Sequence, residues 1–161
     1  NNNFLVSLPD LTKIDVVGAD ATGFLHGQFC ADLSSMPGGG GGLTAWATAK
    51  GRIITTLFAF RKADGWTLVL PSNLIARVTQ RLRMFVLRAH VELHPAPADA
   101  VLLGMDAAFA KTLKSDLQQR LLPHPAVTAQ LQRFMLAASR VEYAEASATP
   151  APGASPFSAP R

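Results

Sequence analysis

Apolar and polar positions alternate through LTKIDVVG (Leu11–Gly18), with β-branched residues and a closing glycine, which predicts a strand. Asp20 then stands at a helix N-cap position, and ATGFLHGQFCADL places Phe24, Leu25, Phe29 and Leu33 along one helical stripe. PGGGGG (Pro37–Gly42) predicts a flexible loop. It is not a phosphate loop, because no Lys-Ser/Thr follows and no helix opens directly from it. Two apolar runs, Leu43–Ala49 and Arg52–Arg61, flank Lys50-Gly51, a two-residue connection suited to a tight hairpin. The turn residues Ala63-Asp64-Gly65 lead into GWTLVLP (Gly65–Pro71), so a meander of three antiparallel strands is expected.

Ser72 is the expected cap of the next helix, from Asn73 to about Ala89. Its apolar face holds Ile75, Val78, Leu82, Phe85, Val86 and Ala89, and Arg77, Arg81 and Arg88 cluster opposite. VELHP (Val91–Pro95) and AVLLG (Ala100–Gly104) read as short strands. The second leads into a helix capped by Asp106, with Ala110, Leu113, Leu117 and Leu121 on one stripe. Leu131–Ala138 reads as one more strand, and from Ala144 the Ala/Ser/Pro run is linker-like. There are no internal repeats. The order β-α-β-β-β-α-β, then β-α, predicts an α+β fold. Its core is a ferredoxin-like antiparallel sheet with helices on one face, elaborated by the hairpin.

The 161 residues are nearly half apolar and sparsely charged, enough for a domain with a real core. No apolar run is long enough to span a bilayer, and no segment has the order of a signal peptide. A single cysteine, Cys30, excludes an internal disulfide and a multi-cysteine metal site, so the expected setting is a reducing cytoplasm. A net charge of +4 is compatible with an anionic ligand or a nucleic-acid surface.

Several constellations carry candidate chemistry. His26 and Cys30, four apart on a helix, read either as a metal or redox pair or as a histidine beside a small buried thiol. Gly23 and Gly27, also four apart, imply close approach by a packed strand or loop, or by a ligand. His90 and His94 would share a strand face without a third metal ligand. The Arg77/Arg81/Arg88 row reads as a phosphate or RNA contact, or as a solvated helix face. There is no GxSxG, no HExxH and no cysteine–histidine nucleophile set, so no catalytic residue is assigned.

Four segments in order, VVGADATGFLHGQFCADL, AKGRIITTLFAF, RLRMFVLRAHVEL and VLLGMDAAFAKTL, resemble the YgfZ-type folate-binding proteins. These are relatives of the glycine-cleavage T-protein, an aminomethyltransferase. The resemblance runs from about Leu5 to Leu122. It implies the first domain of a GcvT/YgfZ-like fold over residues 1–95, the start of a second over 96–143 and a linker or tail over 144–161. It also implies tetrahydrofolate as cofactor, with tRNA thiolation and iron–sulfur enzyme maintenance as the setting. The family's late Lys-Gly-Cys signature is absent, and Lys50-Gly51-Arg52 is not it. The expectation is a truncated or partial family chain.

With Lys50-Gly51 as the turn, Ala49 faces Arg52, Ala45 faces Thr56 and Leu43 faces Phe58. The resemblance makes Leu11, Leu43, Thr56, Phe58 and Pro71 the folate-contacting positions. It places Thr55 and Thr56 where the T-protein has an acidic pair, and Pro71 where it has a pterin-binding asparagine. A threonine supplies neither the charge nor the basicity of a carboxylate. The leading expectation is therefore a folate-binding accessory protein. The alternatives are a T-protein-like aminomethyltransferase and a non-enzymatic RNA- or protein-binding module.

Overall fold

The computed structural model describes residues 4–123 and 133–148. Its organising strand is β2 (Leu11–Val17), where the polar–apolar alternation becomes two faces: Ile14 and Val16 are fully buried, while Lys13 and Asp15 point the other way. β2 pairs antiparallel with β5 (Gly65–Pro71) on one side and β6 (Glu92–Pro95) on the other. The hairpin β3 (Gly41–Ala47) and β4 (Ile53–Lys62) completes a five-stranded sheet in the order β3-β4-β5-β2-β6. Within it, β4-β5-β2-β6 is the expected ferredoxin-like arrangement, and β3 is the strand added by the hairpin.

Helices α1 (Ala21–Gln28) and α2 (Ile75–Val86) cover one face of this sheet. Leu25, Val78 and Leu82 pack there on Ile14, Leu57, Trp66 and Leu68. The Trp66 indole N–H donates to Thr22 Oγ1 at 3.0 Å, which ties α1 to β5. The opposite face is covered in part by a second antiparallel sheet, ordered β1-β7-β9-β8. Its strands are β1 (Leu5–Ser7), β7 (Val101–Asp106), β8 (Leu122–Pro123) and β9 (Arg133–Ala138). Phe60 and Val69 from the first sheet meet Leu102, Leu122 and Met135 from the second in a buried seam. The outer face of the second sheet carries α3 (Ala107–Ala110), α4 (Ser115–Gln119) and α5 (Arg140–Ala148) over Leu103, Met105 and Leu136. The architecture is therefore α+β, in four layers.

Several local expectations change. The hairpin loop is three residues, not two: Gly51 N–H donates to Thr48 O, Thr48 N–H donates to Arg52 O, and Gly51 has φ +81°. A bulge between Trp46 and Ala47 then restores the register, so Ala45 still faces Thr56 and Leu43 still faces Phe58. Asp20 does not cap α1, because its carboxylate accepts the His90 backbone N–H at 2.8 Å. Ser72 does not cap α2; it opens a short 3-10 turn and its hydroxyl donates to Pro9 O. Asp106 does cap, accepting Phe109 N–H at 2.9 Å. The expected single helix is broken into two short ones, α3 holding Ala110 and α4 holding Leu117, with Leu113 between them and Leu121 beyond; Ala110, Leu113 and Leu117 are still buried as expected. The linker-like run begins in α5, where Ala146 is buried; residues 149–161 lie outside the described residues. Of the Leu131–Ala138 strand, Arg133–Ala138 is present and residues 131 and 132 fall outside the described ones.

Candidate functional site

Alternation on three neighbouring strands builds the first site. Leu11 on β2 lies opposite Pro71 on β5, Ala45 on β3 opposite Thr56 on β4, and Leu43 opposite Phe58, which in turn lies opposite Val69. Cross-strand partners point to the same side of a sheet. The five sequence-derived positions Leu11, Leu43, Thr56, Phe58 and Pro71 thus share the face turned away from α1 and α2. The second sheet covers part of that face, at Phe60 and Val69, and Leu11 and Phe58 pack at its margin. Leu43 is 63 % exposed and Thr56 is exposed, so the hairpin end forms an open apolar shelf. Thr55 points the other way, buried beside Trp46 on the helix side, with its hydroxyl donating to Thr56 O at 2.9 Å. Of the two threonines, only Thr56 can present a side chain to a ligand on the shelf. None of the five residues is acidic.

That shelf suits a flat heteroaromatic ring. Leu43, Phe58 and Pro71 offer apolar contact, and Thr56 offers one hydroxyl that both donates and accepts. It supplies no general base or acid of carboxylate type.

The arginine row does not survive as one face. Arg77 and Arg88 are exposed, but the Arg81 guanidinium lies over the Trp46 ring at 5.8 Å and is half-buried. Its Nε, like Thr79 Oγ1, is buried with no hydrogen-bond partner among the described residues. Helix α2 ends at Val86 rather than Ala89, because Leu87 turns to φ +47°. Thr79 takes a core position, while Phe85 is 44 % exposed rather than buried.

The remaining candidates dissolve. Cys30 is exposed, not a buried thiol, and His26 Nδ1 lies 3.5 Å from Asp32. The Ser34 hydroxyl bonded to Asp32 is the main cause holding that carboxyl below its ordinary range, with Ser35 adding to it. A Cβ at Gly23 or Gly27 would meet nothing within 4 Å, so neither strand nor loop packs against them. His90 precedes β6 and His94 lies within it, paired with Glu92 at 3.0 Å. No group of three metal-ligating side chains occurs among the described residues.

Sequence reasoning passed over Lys13, Asp15 and Lys62. Each sits on the polar phase of an otherwise apolar strand, a signal that could have marked them.

No family model matches the chain. Among curated proteins it is similar to the tRNA-modifying protein YgfZ of Yersinia pestis (strain Pestoides F), 29 % identical over 141 residues, 84 % of this chain and 42 % of the relative. The same-named protein of Yersinia enterocolitica is 29 % identical over 125 residues, 76 % of this chain and 38 % of the relative. Among solved structures, the glycine cleavage system aminomethyltransferase T of Bartonella henselae matches with a TM-score of 0.70 at 18 % identity, over 88 % of this chain and 44 % of that one. The chain spans less than half the length of these relatives. It is related to the YgfZ-type proteins and has a GcvT-like fold.

Proposed function

We propose that this chain, a relative of the YgfZ-type proteins, is the tetrahydrofolate-holding part of an accessory protein in tRNA modification and iron–sulfur enzyme maintenance, working in the cytoplasm. One observation carries the reading: Leu11, Leu43, Thr56, Phe58 and Pro71 form a single apolar face with a hydroxyl, not a carboxylate, at its open end. In this reading the pterin ring lies on Leu43 and Phe58, and Thr56 reaches a polar edge. The same face argues against aminomethyl transfer, which calls for a positioned base that a threonine does not provide. No helix among the described residues is long and apolar enough to cross a membrane.

Calorimetric titration of the full-length natural protein with 5-formyltetrahydrofolate tests this. Saturable binding is expected. Leu43→Asp should weaken it by at least about tenfold, or ~1.4 kcal/mol, because an anion would then stand on the apolar shelf. Leu43 is exposed enough for the variant to fold. Absence of saturable binding removes the folate assignment, and transfer from a lipoyl-bound aminomethyl donor would restore the enzymatic alternative.

A second reading, a surface for tRNA, is favoured by the exposed arginines of the α2 region. Arg77 stands in solvent in the first turn of α2, and Arg88 does so just past its last residue, where Met84 (68 % exposed) and Leu87 (87 % exposed) are also open. Phosphate contacts by arginine would make binding salt-dependent. Arg77→Ala combined with Arg88→Ala should lower tRNA affinity and flatten its dependence on salt. An unchanged salt slope would rule out this surface.

A further inference from the structure

A cleft of about 640 Å³ opens between the two sheets, on the same side of the first sheet as the shelf but beyond the Phe60–Val69–Met135 seam. Its volume lies in the range of small-ligand sites, roughly 300–1,000 Å³. Its charged wall comes from three places. Lys13 and Asp15 project from β2, Lys62 from the end of β4, and Arg120 from the turn after α4; Asp64 and His94 stand at the margin.

The hydrogen bonding on this wall is asymmetric. Asp15 is fully engaged: Lys13 Nζ lies 2.6 Å from Oδ2, and the Thr67 hydroxyl donates to Oδ1 at 2.8 Å. His94 is held by Glu92 at 3.0 Å. Arg120 is held by Glu142 at 2.8 Å and by the Ala137 carbonyl. Lys62 is different. Its ammonium makes one long bond, 3.4 Å to Leu121 O, and has no ion-pair partner among the described residues. An ammonium has three donors, so two of them lack an acceptor among the described residues. Lys13 is paired with Asp15 and Arg120 with Glu142, so among the cations of the lining Lys62 is the one without an ion pair among the described residues.

We propose that this cleft binds a small oxyanion, a phosphate or carboxylate group, on the Lys62 ammonium with Lys13 beside it. Desolvation supports the assignment. Burial is the main cause pushing the Lys62 ammonium below the ordinary lysine range; Asp15 and Asp64 oppose it, while Lys13 adds to it. A bound anion would offset that desolvation and take up the idle donors. The assignment does not depend on folate, because the buried seam separates cleft from shelf.

The test titrates the full chain with inorganic phosphate and, separately, acetate, at constant ionic strength set with chloride, following the lysine side-chain CεH2 signals by NMR. Saturable shifts of Lys62 and Lys13 are expected, with no saturable shift of Lys114, which is bound to Glu145 on the far side of the second sheet. The stronger of the two titrations tells phosphate from carboxylate. Lys62→Met keeps most of the aliphatic stem and should weaken binding at least tenfold, whereas Lys62→Arg should retain it. Lys13→Met, a milder change, should weaken it several-fold. The proposal is overturned if Lys62 responds to both anions no more than Lys114 does, or if Lys62→Met binds as the parent protein does.

Discussion

A side chain at Gly41 would run into the ring of Phe60, its cross-strand partner in the added strand. Phe60 is itself 1 % exposed and pinned in the seam between the sheets, so it has little room to yield. Gly41→Ala should therefore lower stability by about 1–3 kcal/mol, read as a shift of the urea midpoint. Gly38→Ala, where a Cβ meets nothing within 4 Å, serves as its control. Equal midpoints for the two variants would contradict this account. Of the run PGGGGG, then, Gly41 is a packing residue within a strand rather than part of a loop. No reading of the sequence alone could separate it from its neighbours, because the obstacle is a ring nineteen positions further on. Thr55 and Thr56 show the opposite case. Strand alternation alone puts them on opposite faces, and the structure has them so, Thr55 under the helices and Thr56 on the shelf.

Among the elements, α5 has the clearest local cause. Glu142 N–H donates to Ser139 Oγ at 3.2 Å, and the Glu142 carboxylate accepts Ser139 N–H at 2.7 Å, a reciprocal capping box. The same carboxylate takes Arg120 at 2.8 Å, which clasps α5 to the end of α4. The Arg120 hydrogen bond is the main cause holding Glu142 below the ordinary glutamate range, followed by the Ser139 backbone bond. A depressed folded-state pKa gives stabilisation that is present above the unfolded value and lost as pH falls through the folded one. Glu142→Gln should cost about 1 kcal/mol near pH 7, and the difference from the parent should close below about pH 4. Thermal midpoints measured between pH 7 and pH 3 check it; a gap that is constant with pH would discard the explanation. The signal was in the sequence as Ser139-Arg140-Val141-Glu142, masked by the Ala/Ser/Pro composition that follows. Helix α2 carries no comparable signal at its end. Leu87 takes a positive φ of 47° with ψ −108°, a backbone that glycine adopts most readily, and a leucine there gives no sign in the sequence that the helix stops short of Ala89.

At the scale of the molecule, the buried seam of Phe60, Val69, Leu102, Leu122 and Met135 decides which parts of the first sheet remain open. It leaves the shelf at one side and the lysine cleft at the other. The run Trp66–Leu70, apolar but for Thr67, is a sign in the sequence that β5 has cover on both faces, and all five residues are buried. What covers it comes from residues 102, 122 and 135, which no local pattern assigns. The short strand β1 joins the second sheet by pairing with β7, Leu5 opposite Met105, about a hundred residues apart in the chain. Three residues and one hydrophobic step are too little for a periodic signal, so β1 was not legible.

The sequence by itself determined the strands of the first sheet together with β7 and most of β9, the two packed helices and the opposed faces of the hairpin strands. With the family resemblance it also picked out the five positions that share the shelf. Those properties follow from period-two and 3.6-residue repeats, which are local and survive without knowledge of neighbours. Tertiary structure alone decided that Asp20 and Ser72 bond away from their helices, that Arg81 lies over Trp46, and that Lys62 is half-buried with no ion-pair partner among the described residues. Each depends on which distant segment arrives beside the residue, and such contacts are selected by the packing of whole sheets rather than by the residue's own neighbours in the chain.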